Sequence, residues 1–177
     1  MAVDVNTSEP IRLVNFRAYN SSNLIIGTTD LTLPKIEYMT ETVKGSGIAG
    51  EVDLPTLGHT GSITVTINWR AATEQAAELA EQKTHEMDFR GSVQYYDSAS
   101  GEYKTIPARV SLRTTPKSFE IGKFEPSATM DQTEEYEVVY LKYTLNGVDK
   151  IEIDKFNFVC KINGKDYLEG VRSDVGM

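Results

Sequence analysis

The sequence predicts a mainly β domain, a β-sandwich or partly open half-barrel with one α-helix. Apolar and polar residues alternate with a period of two over most of the chain. Turn dipeptides separate the alternating runs, and a single stretch has the composition of a helix. At 177 residues the chain is long enough for one sizeable core and short for two, so one domain over residues 1–177 is expected.

The first strand candidates are IRLVNFRAY (11–19), SNLIIGTTDLTL (22–33) and KIEYMTETV (35–43). A long segment from Gly45 to Gly61 comes next; it is rich in glycine, shows no clear period and reads as irregular. SITVTINW then places Ile63, Val65, Ile67 and Trp69 on one face and Ser62, Thr64, Thr66 and Asn68 on the other, a strand with one buried and one wet side. AATEQAAELAEQK (71–83) is the helix: Ala72, Ala76, Leu79 and Ala80 form a shallow stripe opposite an acidic side. EMDFRGSVQYY turns Met87, Phe89, Val93 and Tyr95 inward, and KTIPARVSLRT does the same with Ile106, Ala108, Val110 and Leu112. Pro107 cannot donate to a ladder, so its strand is expected to be an edge or to bulge there. In YEVVYLKYTL the alternation slips across Val138–Leu141, as a bulge or a strand covered on both faces would make it. SFEIGKF, KIEID and FNFVCKI complete the strand set. DSASGEY, LNGVDK and INGKDY are hairpin turns, the last two through Asn-Gly, and YLEGVRSD is a candidate short second helix.

The net charge is −8 and the pI about 4.8. Nucleic-acid grip needs clustered Lys and Arg, so this balance argues against it, although an acidic surface lets a polyanion pass without sticking. No apolar run approaches the roughly 20 residues of a membrane helix, and MAVDVNTSEP lacks the pattern of a secretory signal, so a cytosolic origin is expected. The single cysteine, Cys160, permits no intrachain disulfide and no Cys-rich zinc site, and reads as a small buried hydrophobe.

GSGIAG (45–50) matches G-x-G-x-x-G, the glycine pattern of dinucleotide sites. That site must open a helix, whose N-terminal N–H groups hold the pyrophosphate. After Gly50 the chain reads EVDLPTLGHTGS, in which Pro55, Gly58 and Gly61 oppose a helix and Glu51 and Asp53 would repel phosphate. HEMDF begins like a zinc motif, but Phe89 occupies the second ligand position. His59 lies between two glycines with no nucleophile nearby in sequence, and the acidic pairs lack calcium-loop spacing. No catalytic constellation, metal site or cofactor site emerges.

LVNFRAY, TLPKIEYMTETVKGSGIAGEVDLPTLGHTGS, INWR, FRGSVQYYDSASGEYK, PKSFEIGKFEPSATMD and EIDKFNFVCKINGKDYLEGVR, in this order and spacing, resemble the major tail tube protein of contractile-tailed bacteriophages. The same family includes the tubes of R-type phage-tail-like bacteriocins. The resemblance spans about residues 11–172. It implies a β-sandwich or half-barrel with one helix, similar in outline to the tubes of type VI secretion. It also implies hexameric rings whose sheets join into one continuous β-barrel, stacked into a tube that sheath contraction drives through a target envelope. The implied partners are further copies of the chain, sheath protein, a baseplate or tube-initiator protein, a tape-measure protein in the lumen and, in a phage, passing DNA; no membrane insertion is implied. The implied location is a virion tail or phage-tail-like particle assembled in the bacterial host cytoplasm. No enzyme activity or cofactor is implied.

On that resemblance the segment at about 40–61 becomes an assembly loop, with Lys44, Gly45, Ser46, Gly47, Ile48, Ala49, Gly50, Glu51, Asp53 and His59 as candidate subunit or ring contacts. Candidate lumen-facing residues are Ser62, Thr64, Thr66, Asn68, Glu135, Glu137, Glu152 and Asp154. The competing reading is a stand-alone β-sandwich binding module, which usually displays exposed aromatic platforms; Trp69, on the apolar face of its strand, is expected in the core instead.

Overall fold

A computed structural model describes residues 8–21, 23–25 and 28–177. In chain order the elements are β1 (Ser8–Asn20), β2 (Asn23–Leu24), β3 (Thr28–Thr32), β4 (Tyr38–Lys44), β5 (Glu51–Thr60), β6 (Thr64–Trp69), α1 (Glu74–Leu79), β7 (His85–Asp97), β8 (Glu102–Glu120), β9 (Gln132–Leu145), β10 (Val148–Asp154), β11 (Val159–Ile162), β12 (Lys165–Asp166) and α2 (Glu169–Asp174). The expected strand over 22–33 falls partly on residues 22, 26 and 27, and the reading of the N-terminus on residues 1–7; these lie outside the described residues.

Ten strands make one antiparallel sheet, ordered β12-β11-β10-β9-β8-β7-β1-β2, with β6 and then β3 attached to β9. The slip in YEVVYLKYTL is the reason the sheet can branch. The β8–β9 register steps from Thr114↔Val138 to Arg113↔Tyr140, leaving Val139 as the extra residue of a bulge. Below the bulge the far edge of β9 pairs with β6, from Trp69↔Gln132 to Thr64↔Glu137. Above it the same edge pairs with β10, from Asp154↔Tyr140 to Val148↔Leu145. The junction is closed by Val138 N donating to Ile63 O at 2.7 Å and Lys155 N donating to Val139 O at 3.1 Å.

The inner face of this branched, curled sheet holds the core. Val65, Ile67 and Trp69 of β6 share one cluster with Met87, Phe89, Val110, Leu112, Tyr136, Val138 and Leu141, and with Ala76 and Leu79 of α1. Burying each large aliphatic side chain contributes about 1.5–3 kcal/mol, so this cluster carries the fold. Trp69 and Cys160 are in the core, as the alternation requires.

The turns agree with the sequence. Asn146–Gly147 and Asn163–Gly164 all have positive φ, the conformation a two-residue hairpin needs. In the β7–β8 turn the Asp97 carboxylate accepts from Ala99 N and Ser100 N and from Lys104 Nζ at 2.5 Å. Lys104 and these turn N–H groups hold its pKa down at about 2. Pro107 stands one position beyond the last β8–β9 pair, Ala108↔Leu145. Its carbonyl accepts from Asn146 N, so its missing donor faces the β9–β10 turn, where β8 is an edge.

The short second helix expected in YLEGVRSD is present as α2. Three expectations change: β8 runs on through residues 118–120, so SFEIGKF is no separate strand, and the first helix is one short piece, Glu74–Leu79, capped by Thr73 Oγ1 accepting from Ala76 N. Only Ala76 and Leu79 of the stripe are buried within α1 and Ala72 is exposed, so too little apolar surface anchors a longer helix. FNFVCKI forms a strand only from Val159; Asp154 caps a turn across Phe156 and Asn157 and leaves Phe156 exposed.

Candidate assembly surfaces

The segment read as irregular, from Gly45 to Gly61, is the tip and second strand of an ordered hairpin whose first strand, β4, falls in the expected strand KIEYMTETV. Among the described residues strands β4 and β5 pair only with each other, in register Thr42↔Asp53, Val43↔Val52 and Lys44↔Glu51, and GSGIAG forms the tip. The tip glycines therefore serve a turn: Gly47 has φ +96, and a Cβ there would meet nothing within 4 Å. The hairpin is amphipathic. Thr42 Oγ1 donates to Asp53 Oδ1 at 2.6 Å and Lys44 Nζ to Glu51 Oε1 at 3.2 Å on one face. Val43, Val52 and Leu54 lie on the other, with Glu41 opposite Leu54. All seven residues of β4 are exposed, as are residues 51–57 of β5.

The hairpin is held at its root. The register jumps from Thr40↔Pro55 to Tyr38↔Thr60, so residues 56–59 of β5 stand opposite Met39 alone. Within that bulge Gly58 has φ +66, and a Cβ on it would lie 2.5 Å from Leu168 Cγ. Only glycine permits this approach. Gly61 N donates to Glu37 O at 2.9 Å, and His59 Nδ1 lies 2.9 Å from Leu57 O. Tyr38, Pro55 and Leu57 line a cleft of about 250 Å³ with Cys160, Ile162 and Tyr167.

Of the residues singled out in sequence, Lys44, Glu51 and Asp53 lie on the polar face of the hairpin; Gly45, Ser46, Gly47, Ile48, Ala49 and Gly50 form its tip; His59 is at its root. Sequence reasoning missed the apolar face and the Gly58–Leu168 contact. The near-symmetric TVK and EVD around GSGIAG carried a signal for the former; the latter joins positions too far apart in sequence to be read from it.

A second surface is the outward face of the sheet. Cross-strand pairs Thr64↔Glu137, Thr66↔Glu135 and Asn68↔Thr133 bring the polar side of β6 beside the acidic residues of β9. Asn68 Oδ1 accepts from Thr133 Oγ1 at 3.0 Å, and its Nδ2 donates to Asp30 Oδ1. Glu137 accepts from Ser62 Oγ and, at 3.1 Å, from Lys155 Nζ. Partial burial pushes its carboxyl up, but Ser62, Lys155 and the Ile63 N–H outweigh that and hold it below the ordinary range. Beyond the bulge the face continues through Glu152, which accepts from Tyr140 Oη and Lys161 Nζ, each at 3.2 Å.

The same face is not uniformly acidic. Asp88 accepts from Arg90 Nε and Arg109 Nε, both at 2.6 Å, and from Ser111 Oγ at 3.0 Å. Arg90 lies over the Tyr19 ring and Arg113 over the Tyr140 ring. Asp154 differs from the other acidic candidates: it is buried, and its carboxylate accepts from Phe156 N, Asn157 N and Asn157 Nδ2. Glu134 is buried in the core, with Tyr136 Oη and Gln132 Nε2 donating to it. Burial pushes its carboxyl up despite those donors.

Among the described residues no group of three or more His, Cys, Asp or Glu is arranged to hold a metal ion, and no helix is long and apolar enough to cross a membrane. His85 is buried, with Nε2 3.0 Å from Glu81 O, which ties it to the end of the α1 segment.

The branched ten-stranded sheet and the separate amphipathic hairpin define a mainly β protein. The family model for phage tail tube protein FII matches residues 10–176, and the chain belongs to that family. It is thus a tail tube subunit of a phage or phage-like particle and not an enzyme, which displaces the stand-alone binding module. The chain is 24% identical over 157 residues to the tail tube protein of Escherichia phage P2, covering 83% of this chain and 86% of that protein. Its fold is similar to the sheath/tube terminator of an extracellular contractile injection system in the extended state, with TM-score 0.53 and 15% identity, covering 77% of this chain and 97% of that one. The sheath-tube complex of the same kind of system gives TM-score 0.48 and 15% identity, over 77% and 90% of the two chains.

Proposed function

We propose that copies of this chain close into hexameric rings that stack into a hollow inner tube, and that the segment at about 40–61 is its assembly element. The carrying observation is the β4–β5 hairpin: a two-stranded ribbon whose strands pair only with each other and whose apolar face is uncovered. Such a ribbon is marginal alone in water, and a neighbouring subunit is the natural cover. Ring closure also answers the edge of β1, which pairs with β2 only at Tyr19 and Asn20 among the described residues. Joining that edge to a neighbour makes a barrel, and a repeated heterologous contact closes when its rotation closes.

In this reading the outward polar face, with Ser62, Thr64, Thr66, Asn68, Glu135, Glu137 and Glu152, forms the lumen wall. Asp154 is left out because its carboxylate is occupied in a turn. The net charge of −8 lets DNA pass if the particle carries it. Sheath protein outside, a baseplate or initiator at one end and a tape-measure protein within are the remaining partners.

Negative-stain microscopy of concentrated purified protein tests the reading: rings or tubes of uniform diameter are expected, and persistent monomers overturn it. For the lumen, Glu135→Lys, Glu137→Lys and Glu152→Lys in a DNA-carrying particle are expected to slow ejection. Unchanged ejection with these residues mapped outside the tube overturns that part alone.

A further inference from the structure

We infer that the outward face of β1, β7 and β8 carries a binding site for a phosphate-type oxyanion, built by Arg17, Arg90, Arg109 and Arg113. This goes beyond the tube-subunit reading and does not depend on that face lining a lumen. The register assembles the site. Arg17↔Arg90 and Arg90↔Arg109 are directly opposite pairs, so three arginines stand in one cross-strand row over three adjacent strands. They lie on the face of Asp88 and Ser111, opposite to the buried Phe89 and Val110. Adjacent strands are about 4.8 Å apart, and like charges directly opposite each other destabilise a sheet. In a chain of net charge −8, such a row is a local concentration of cations that folding alone does not favour.

The chain relieves that row only in part. Asp88 Oδ2 is taken by Arg90 Nε, and Oδ1 by Arg109 Nε and Ser111 Oγ, so both carboxylate oxygens are occupied. A guanidinium has five N–H donors, and each of these two spends one. Arg17 and Arg113 make no ion pair with a described residue. Arg113 stands opposite Glu86 in the register, yet its Cζ lies over the Tyr140 ring, 5.1 Å from the centroid. Arg90 Cζ is likewise 4.5 Å from the centroid of the Tyr19 ring. These groups border a hollow of about 280 Å³, in which Arg90, Arg109 and Arg113 face the carboxylates of Asp88 and Glu86; Arg17 adds to the excess from the row beside Arg90. A water occupies about 30 Å³, so a hydrated tetrahedral anion has room there. Farther along the face Lys142 is matched by Asp149 and Lys161 by Glu152, which confines the unmatched cations to this hollow and its rim. Asp88 already fills the part a carboxylate can play. The donors left over are the forked edges of guanidiniums, and these suit an anion with more oxygens and more charge.

Phosphorus NMR of inorganic phosphate titrated with the full chain tests this, and no arm of the test requires polymerisation. A saturable shift that survives chloride at matched ionic strength is the expected result. Arg113→Gln breaks no ion pair, so it should fold as the parent does and weaken phosphate binding at least about tenfold. Arg113→Lys keeps the charge without the fork and should fall between the two. Lys161→Gln, on the same face but matched to Glu152, should bind as the parent does. Parent-like binding by both Arg113 variants overturns the site. So does an equal loss in Lys161→Gln, or a shift that chloride abolishes. A short oligothymidylate that displaces phosphate assigns the site to a phosphodiester, whereas phosphate binding that the oligothymidylate leaves intact assigns it to the free ion. A chain that binds phosphate but forms no rings overturns the tube reading alone; rings without phosphate binding overturn this site alone.

Discussion

Strand β6 and the β4–β5 hairpin are built from the same period-two alternation and are both regular antiparallel strands. Yet Val65, Ile67 and Trp69 are at most 1% exposed, whereas Val43, Val52 and Leu54 are 37–49% exposed. The difference is the neighbour. β6 has β9 and β3 on its edges, and α1 with β7 and β8 of the same curled sheet share its apolar core cluster. Among the described residues the hairpin has its own two strands and a root set against Leu168 and β11. One region stabilises the subunit; the other leaves its apolar surface open and is the assembly element proposed above, a reading under which stability and assembly should respond to different mutations.

The largest effect that tests this separation is in the body. Trp69→Ala removes the biggest fully buried side chain and should cost about 3–5 kcal/mol, read as a lower denaturation midpoint. A shift under about 1 kcal/mol would mean that β6 does not carry the core. Next comes the root. Gly58→Val drives a side chain into Leu168 at positive φ and should cost about 1–3 kcal/mol. It should impair tube formation more than that loss of stability explains, because the hairpin is re-aimed; wild-type tubes would show that the root does not set the hairpin's direction.

On the hairpin itself, the pair Val52→Lys and Leu54→Lys should abolish polymerisation while shifting subunit stability by no more than about 0.5 kcal/mol. Unfolding of that variant would erase the distinction between the two regions. At the tip, Gly47→Trp meets no atom of its own subunit, so monomers should stay folded, at a cost of about 1 kcal/mol for the positive φ. Sedimentation should show fewer or shorter tubes.

The smallest effect concerns Glu134. Burial raises its folded carboxyl above the ordinary 4.5, so the folded state favours the protonated form. Its contribution is therefore fully present below that ordinary value and is lost as the pH rises through the raised one. Glu134→Gln keeps an acceptor for Tyr136 Oη and removes the ionisation. It should be more stable than the parent at pH 7, with the two curves converging below about 4.5. A constant difference across pH would show that Glu134 does not titrate with folding.

Much of this was legible in the residues. Alternation located β6, β7 and β8, Asn-Gly placed two hairpin turns, and the slip at Val138–Leu141 marked the bulge. The same alternation put Thr64, Thr66 and Asn68 on one face. That Glu135 and Glu137 share this face needed the β6–β9 register, which joins residues about 70 positions apart. The strand at 35–43 is legible, but the β5 arm reads as irregular because Pro55 and the five glycines from Gly45 to Gly61 outweigh the weak TVK and EVD symmetry.

By itself, then, the sequence determined that the chain is mainly β, where its turns fall, which side of each long strand is apolar, and that no helix follows GSGIAG, where β5 runs instead. Local sterics and side-chain alternation act within a few residues, so they are written in the order of the chain. The tertiary structure alone decided that β9 exchanges β6 for β10 at Val139, that Gly58 lies against Leu168, and that one apolar strand face is buried while another is left open. Those outcomes depend on which distant strand arrives as a neighbour, and a period of two fixes the face of a side chain without fixing what covers it.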